Sequence, residues 1–207
     1  MGQSRPPIER PIGRRYGGLL QCGQDQLFLV QIELLSIGHG SLDAAAFNAH
    51  LRAVGAATAA DVRRFPASRP NPHFGGEALT ASLRGAGIGY RPMPQLGGQR
   101  TAEPDSPNVA LRNAAFRGYA DFMRTPEFSA ALIELLMLAE DRTTVMFCAE
   151  TLWWRCHRRL IADAVVLLYG GNVMHLVGAM KAAHVVTPGV RRHGAQLVYD
   201  ERVQRST

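Results

Sequence analysis

Along most of this chain, apolar runs of strand length alternate with stretches that repeat their apolar residues at helical spacing, and glycine, proline or a capping residue marks each change. The first run, Leu27 to Ile37 (LFLVQIELLSI), is β-compatible throughout and stops at Gly38-His39-Gly40. Ser41 is then expected to cap a helix through Leu42, Phe47 and Leu51. Ala56 to Arg63 reads as a weaker strand, because alanine is a poor strand former, and it leads into a proline-rich loop from Phe65 to Phe74. A helix from Glu77 to Arg84 and a short strand from Ile88 to Met93 follow. Pro94 to Arg112 is long, polar and rich in Gly and Pro, as functional or disordered loops are. Beyond it the pattern predicts a helix from Phe116 to Met123 and a second one opened by Thr125-Pro126-Glu127. Then come a strand from Thr143 to Cys148, a helix from Cys156 to Leu168, a strand from Val173 to Val177 and a terminal strand from Gln196 to Tyr199. Such alternation buries its apolar faces by stacking helices on both sides of one sheet. The expected fold is α/β, a three-layer sandwich on a mainly parallel, Rossmann-like sheet.

A chain of 207 residues, 46% hydrophobic, can bury one core comfortably. The expected organisation is a flexible basic leader over residues 1–24, one α/β domain over 25–200 and a flexible tail over 201–207. The formal charge of +6 suggests a polyanion partner until the charge is located. Arg5, Arg10, Arg14 and Arg15 against Glu9 give the leader +3, and Arg191, Arg192, Arg202 and Arg205 against Asp200 and Glu201 give the C-terminal stretch +2. The body is therefore close to neutral, which weakens a reading as a dedicated nucleic-acid binder and leaves the basic tails as a route to nucleic acid. No apolar run reaches the roughly 20 residues of a membrane helix, and the N-terminus lacks a signal-peptide core, so a cytoplasmic location without membrane contact is expected. Cys22, Cys148 and Cys156 are too few and odd in number for a disulfide framework, so reduced thiols are expected.

In a sheet of this kind ligands bind outside the carboxyl ends of the strands. The reactive residue types collect at those ends: His39 after the first strand, Asp61 and Arg63 at the second, Leu96-Gly97-Gly98 after the third, and Cys148 with Glu150 at the fourth. Cys148 faces a helix start with Arg155 and Arg158 nearby, a setting that lowers a thiol pKa and suits a nucleophile; a buried structural thiol is the competing reading. Cys156 is a resolving thiol, a metal ligand or a capping neighbour. Cys148, Cys156 and His157 are the candidate metal ligands, although a gap of seven residues between the thiols is not a usual zinc spacing and no metal is assigned. No motif specifies a cofactor. Glu150 is a general acid or base, or else a salt-bridge partner of Arg158. Asp61 with Arg63, and Arg69 in the proline loop, either bind a ligand or brace each other. Phe116, Tyr119 and Met123 recur at the spacing of a core-facing helix, from which Arg117 and Tyr119 can still reach a ligand, and Trp153-Trp154 is a stacking surface or ordinary packing. The remaining histidines, His50, His175, His184 and His193, read as surface or core residues.

Ser36-Ile37-Gly38-His39, Asp61-Val62-Arg63, Pro66 with Ser68-Arg69, Asn71-Pro72, Leu96-Gly97-Gly98, Phe116-Arg117-Gly118-Tyr119-Ala120-Asp121 and Cys148-Ala149-Glu150 with Cys156-His157-Arg158 occur in this order. Together they resemble the bacterial and archaeal family called domain of unknown function number 488. The resemblance implies a small α/β domain and supplies no reaction. Two positions depart from the family's pattern: Gly40 stands where Ser or Thr is usual, and Trp153 where the Cys-Ala-Glu motif continues to a proline.

Three functions are consistent with these residues. The first is a thiol-dependent enzyme on an anionic small molecule or nucleotide, with Cys148 as nucleophile, Glu150 or His39 moving protons, and Arg63, Arg69 and Arg158 holding the anion. The second is a nucleic-acid or nucleotide enzyme using Glu150 and Asp61. The third is a non-catalytic binding or accessory module with a structural or metal-holding turn. The first is the leading expectation.

Overall fold

The structure is a computed structural model that describes residues 32–66, 71–178 and 180–200. The leader with Cys22, the start of the first apolar run, Arg69 and the tail lie outside the described residues.

The chain runs β1 (Glu33–Gly38), α1 (Ala44–Ala53), β2 (Thr58–Asp61), α2 (Gly76–Gly85), β3 (Gly89–Pro92), α3 (Ala114–Phe122), α4 (Pro126–Asp141), β4 (Thr144–Cys148), α5 (Arg158–Tyr169), β5 (Asn172–Val177), β6 (Met180–Ala183), β7 (Val190–His193) and β8 (Gln196–Tyr199). Single 3₁₀ turns at Pro72–Phe74, Pro94–Leu96 and Trp153–Arg155 interrupt the loops. One six-stranded sheet has the order β3-β2-β4-β1-β5-β6, parallel except for the antiparallel edge strand β6. It is the expected sandwich. Leu35, Ile37, Val145 and Phe147 face one side and pack on Phe47 and Leu51 of α1 and Leu79 and Leu83 of α2. Leu34, Met146 and Val173 face the other and pack on Leu132 and Leu135 of α4 and Leu160, Ile161 and Ala164 of α5. β4 is buried along its whole length because helices cover both faces of the sheet, which is why it reads as a continuous apolar run. Burying each of the large aliphatic or aromatic side chains contributes about 1.5–3 kcal/mol.

Local chemistry fixes the helix boundaries. Asp43, not Ser41, caps α1: its Oδ1 accepts from Ala46 N at 2.7 Å, since the first helical turn opens at Ala44. Asn113 Oδ1 accepts from Ala115 N at 2.8 Å to start α3, and Thr125 Oγ1 accepts from Phe128 N at 3.2 Å to start α4 with Pro126 in its first turn. Gly170, at φ 66°, ends α5 in the left-handed conformation.

The last third departs from the expected alternation. β8 joins no strand of the main sheet; it pairs antiparallel with β7 in a separate hairpin. β6 (MKAA) and β7 (VRRH) lack the apolar run that marks a buried strand, because β6 is fully exposed and β7 is charged. The long loop after β3 is pinned rather than loose. Asp121, buried on α3, accepts from Glu103 N at 2.9 Å, Ser106 Oγ at 2.6 Å and Asn108 Nδ2 at 2.8 Å. Gly118 lets that loop pass, since a Cβ there would lie 2.4 Å from the Thr101 carbonyl carbon.

Candidate functional site

The carboxyl ends of β1, β2 and β4 lie level, with Gly38 opposite Cys148 and Asp61 opposite Phe147. The turns leaving β1 and β4 are hydrogen-bonded together: His39 N donates to Cys148 O and Gly40 N to Ala149 O, both at 2.9 Å. The β4 turn crosses directly over Gly38, where a Cβ would stand 1.9 Å from Glu150 O. Thr151 Oγ1 occupies the space that a side chain at Gly40 would take.

This turn carries the chain from Cys148 to the mouth of α5, where Cys156, His157 and Arg158 return to it. Cys148 Sγ, Cys156 Sγ and one ring nitrogen of His157 lie within 4.8 Å of one another. Cys156 is extended (φ −120°, ψ 151°) and His157 already helical (φ −59°, ψ −19°), so the backbone turns between them and their side chains meet, with Cys156 Sγ and His157 Nδ1 3.5 Å apart. His157 Nε2 is 2.8 Å from Val62 O. A carbonyl only accepts, so Nε2 carries a hydrogen and Nδ1 faces the thiols. Gly98 packs against the same ring, where a Cβ would come 2.9 Å from Nδ1. The loop after β3 thus reaches the site.

Arg158 is only 1% exposed and holds the cluster from beneath. Its Nε donates to Cys156 Sγ at 3.4 Å and its Nη1 to Ser36 Oγ at 3.1 Å; its Nη2 donates to Glu150 O and, at 3.4 Å, to Thr151 O. Among the described residues no carboxylate pairs with this guanidinium. Its link to Glu150 runs through the backbone, and the exposed Glu150 carboxylate instead accepts from Leu152 N at 3.1 Å.

The electrostatics separate the two thiols. A hydrogen bond to Cys156 and burial push Cys148 well above the ordinary thiol range, opposite to the direction expected of a nucleophile there. Burial acts in the same way on Cys156 but is outweighed by the Cys148 thiol, His157 and Arg158, which hold Cys156 well below that range. Cys156 also stands closer than Cys148 to the start of α5.

The other expected site residues turn mostly to structural partners. Asp61 and Arg63 brace each other through two guanidinium contacts, Nε to Oδ1 at 2.8 Å and Nη2 to Oδ2 at 2.6 Å, and Arg63 N donates to Oδ1 at 3.1 Å. Tyr90 OH donates to Asp61 Oδ2 at 2.9 Å, and Arg63 Nη2 also donates to Phe74 O at 3.0 Å. His39 is stacked on Phe74, with ring centroids 3.8 Å apart, and lies 3.4 Å from Arg63 Nη1. Burial, aided by Arg63, pulls its pKa down to about 4 and keeps the ring neutral near pH 7. Arg117 Nη1 donates to the carbonyls of Leu111 and Arg112 at 3.0 and 3.1 Å, so it closes a loop instead of facing the thiols. Tyr119 is buried with its hydroxyl on Leu96 O at 2.7 Å and its ring 5.2 Å from His157.

A second buried polar network was hidden in the sequence. Trp153 stacks on His175 of β5, His175 Nε2 lies 3.0 Å from His184 Nδ1, and His184 Nε2 lies 2.9 Å from Asp163 Oδ1. Thr187 N and Tyr199 OH donate to the same carboxylate at 2.9 and 3.0 Å. The one local signal was a histidine inside the apolar run NVMHLV. Trp153 thus gives one ring face to His175, while Trp154 stays exposed.

Comparison with known proteins adds one finding: residues 43–165 match the family described as Domain of unknown function DUF488. No curated protein and no solved structure matches the chain.

Proposed function

The chain belongs to the family of the domain of unknown function DUF488, and within that membership, which assigns no reaction, we propose a thiol-dependent enzyme acting on an anionic small molecule or nucleotide. Its reactive sulfur in this reading is Cys156, with Cys148 as the protonated neighbour. One observation carries the proposal: Arg158 is a buried guanidinium that has no carboxylate partner among the described residues and donates to Cys156 Sγ. A buried charge without a counter-charge costs several kcal/mol, and a Cys156 thiolate removes that cost.

The arrangement suits covalent chemistry. Cys156 sulfur attacks an electrophilic atom of the substrate, the bond to the leaving group breaks, and the leaving group takes the proton of the Cys148 thiol. The anionic character of the substrate is inferred from the adjoining wall. Gly97 packs against Arg64, and Gly98 against His157. Arg100 lies close to Arg64, and burial together with that second cation lowers its pKa. These two neighbouring guanidiniums, held on the loop that meets His157 through Gly98, favour a negatively charged ligand. The nucleic-acid reading that uses Asp61 and Glu150 finds less support, because both Asp61 oxygens are engaged by Arg63 and Tyr90. No helix among the described residues is long and apolar enough to cross a membrane. The thiol chemistry calls for a reducing compartment such as the cytoplasm.

The test uses the metal-free protein with limiting iodoacetamide at neutral pH and mass-spectrometric mapping. Cys156 is expected to be labelled well ahead of Cys148, and Arg158→Met to slow that labelling about ten-fold or more. A panel of phosphorylated and nucleotide substrates then identifies turnover that Cys156→Ser abolishes. Labelling that favours Cys148, or an inert pair of thiols, overturns the proposal.

A further inference from the structure

We propose that Cys148 Sγ, Cys156 Sγ and His157 Nδ1 form a binding site for a thiophilic divalent metal ion of the zinc class, with a fourth position open to an anionic ligand. The inference goes beyond the thiol-enzyme reading and does not depend on it.

Geometry carries it. Around a tetrahedral zinc ion, with Zn–S near 2.3 Å and Zn–N about 2.0–2.1 Å, ligand atoms stand roughly 3.5–3.8 Å apart. Cys156 Sγ and His157 Nδ1 already lie 3.5 Å apart, and all three donor atoms fall within 4.8 Å of one another. The imidazole is prepared as metal-binding histidines usually are. Its Nε2–H is committed to the Val62 carbonyl at 2.8 Å, which fixes the ring and leaves the Nδ1 lone pair toward the sulfurs. Arg158 Nε donates to Cys156 Sγ from outside the triad, the kind of supporting hydrogen bond that holds a thiolate ligand in place. Adjacent residues such as Cys156 and His157 seldom share an ion, but the change from extended to helical backbone between them turns both donors to one side.

The ligand count points to reactive rather than purely structural use. Structural zinc sites close all four positions with protein, whereas two cysteines and one histidine leave one free. Charge suggests what fills it. Two thiolates offset the two charges of the ion, so the Arg158 charge remains and favours an anion at the open position. Loading transfers the Cys148 proton, and that of Cys156 where it is still a thiol, to solvent; no electrons move. A coordinated Cys156 is no longer a free nucleophile, so the loaded protein resists alkylation.

Cobalt(II) is the probe, titrated anaerobically into the reduced full chain carrying Cys22→Ser. The expected result is one equivalent bound, with intense sulfur-to-cobalt charge-transfer absorption and the visible bands of a four-coordinate site, both erased by zinc. Cys148→Ser, Cys156→Ser and His157→Gln should each weaken binding about ten-fold or more. Circular dichroism of each variant separates lost binding from lost folding. Should a variant unfold, X-ray absorption of the unsubstituted zinc-loaded protein decides, with two sulfurs near 2.3 Å and one nitrogen near 2.0 Å expected. Absence of the charge-transfer band with titratable thiols present, unchanged affinity in folded His157→Gln, or a shell without two sulfurs overturns the site. Alkylation of the metal-free protein is read separately, so an inert Cys156 there rejects the thiol enzyme and leaves the metal site standing.

Discussion

Trp153 lies flat on His175, with ring centroids 4.2 Å apart and planes 3° from parallel. The tryptophan comes from the turn between β4 and α5, and the histidine from the middle of β5, so the contact ties the thiol turn to a strand on the far side of β1. Behind His175 the chain of hydrogen bonds runs through His184 to Asp163, which also receives Thr187 N and Tyr199 OH. His175 Nδ1 is buried without a partner among the described residues.

Asp163 is therefore the post on which the C-terminal hairpin hangs. Asp163→Ala should lower stability by about 3–5 kcal/mol, because it strands three buried donors, while Tyr199→Phe removes one hydrogen bond and should cost about 1–2 kcal/mol. Urea unfolding of both variants and of the double variant checks this, and a strictly additive double variant would contradict a shared partner.

Two buried histidines give the fold a defined acid sensitivity. Burial with Arg63 holds His39 at about 4, and burial with His184 and Arg158 holds His175 at about 3, both below the unfolded value of 6.5. Below pH 6.5 the unfolded chain binds these protons and the folded chain does not, so stability is full above that pH and falls as pH drops toward 4. Each histidine contributes up to about 1.4 kcal/mol per pH unit in that window. Urea midpoints measured between pH 7.5 and pH 4.5 should fall toward acid, and His39→Gln should flatten the slope.

Asp61 and Arg63 are a buried pair whose halves are unequal to lose. Asp61→Asn leaves the Arg63 charge unpaired and should cost about 3–5 kcal/mol, whereas Tyr90→Phe removes one hydrogen bond to the same carboxylate and should cost about 1 kcal/mol. Thermal melts order the two variants. Similar losses for both would show that the pair contributes little.

Gly38 predicts a steric limit. Its Cβ would overlap Glu150 O, which is backbone and cannot swing aside, so Gly38→Ala should cost about 3 kcal/mol or more and loosen the thiol turn. Gly55, at φ 66°, has open space around it, and Gly55→Ala should cost only about 1 kcal/mol. Comparing their melting temperatures separates crowding from backbone strain.

Much of this architecture was legible in the chain because helices on both faces bury β1 and β4 and leave both strands mostly apolar. β6 and β7 were not, since an exposed MKAA and a charged VRRH carry no burial pattern. The segment around Cys148 and Cys156-His157-Arg158 stood out by residue type alone. Which sulfur the guanidinium addresses did not, because that depends on Arg158 Nε ending 3.4 Å from Cys156 Sγ across a turn. Asp163, His175 and His184 were opaque for a related reason: three separate segments supply them, and no local spacing announces the meeting. Asp121 sat inside a recognised motif, but its task of gathering the loop before α3 is visible only in its three acceptor contacts.

β4 lies between β1 and β2, two strands made long before it and not paired with each other. Before β4 is made, the chain holds β1 as a lone strand and β2 beside β3, with an empty slot between them, and none of these three strands owns a thiol of the cluster. The strand that fills the slot brings Cys148 with it, and the helix that follows brings Cys156, His157 and Arg158. The joining of β1 to β2 and the arrival of both thiols are therefore one event, set by a single strand and the helix that follows it.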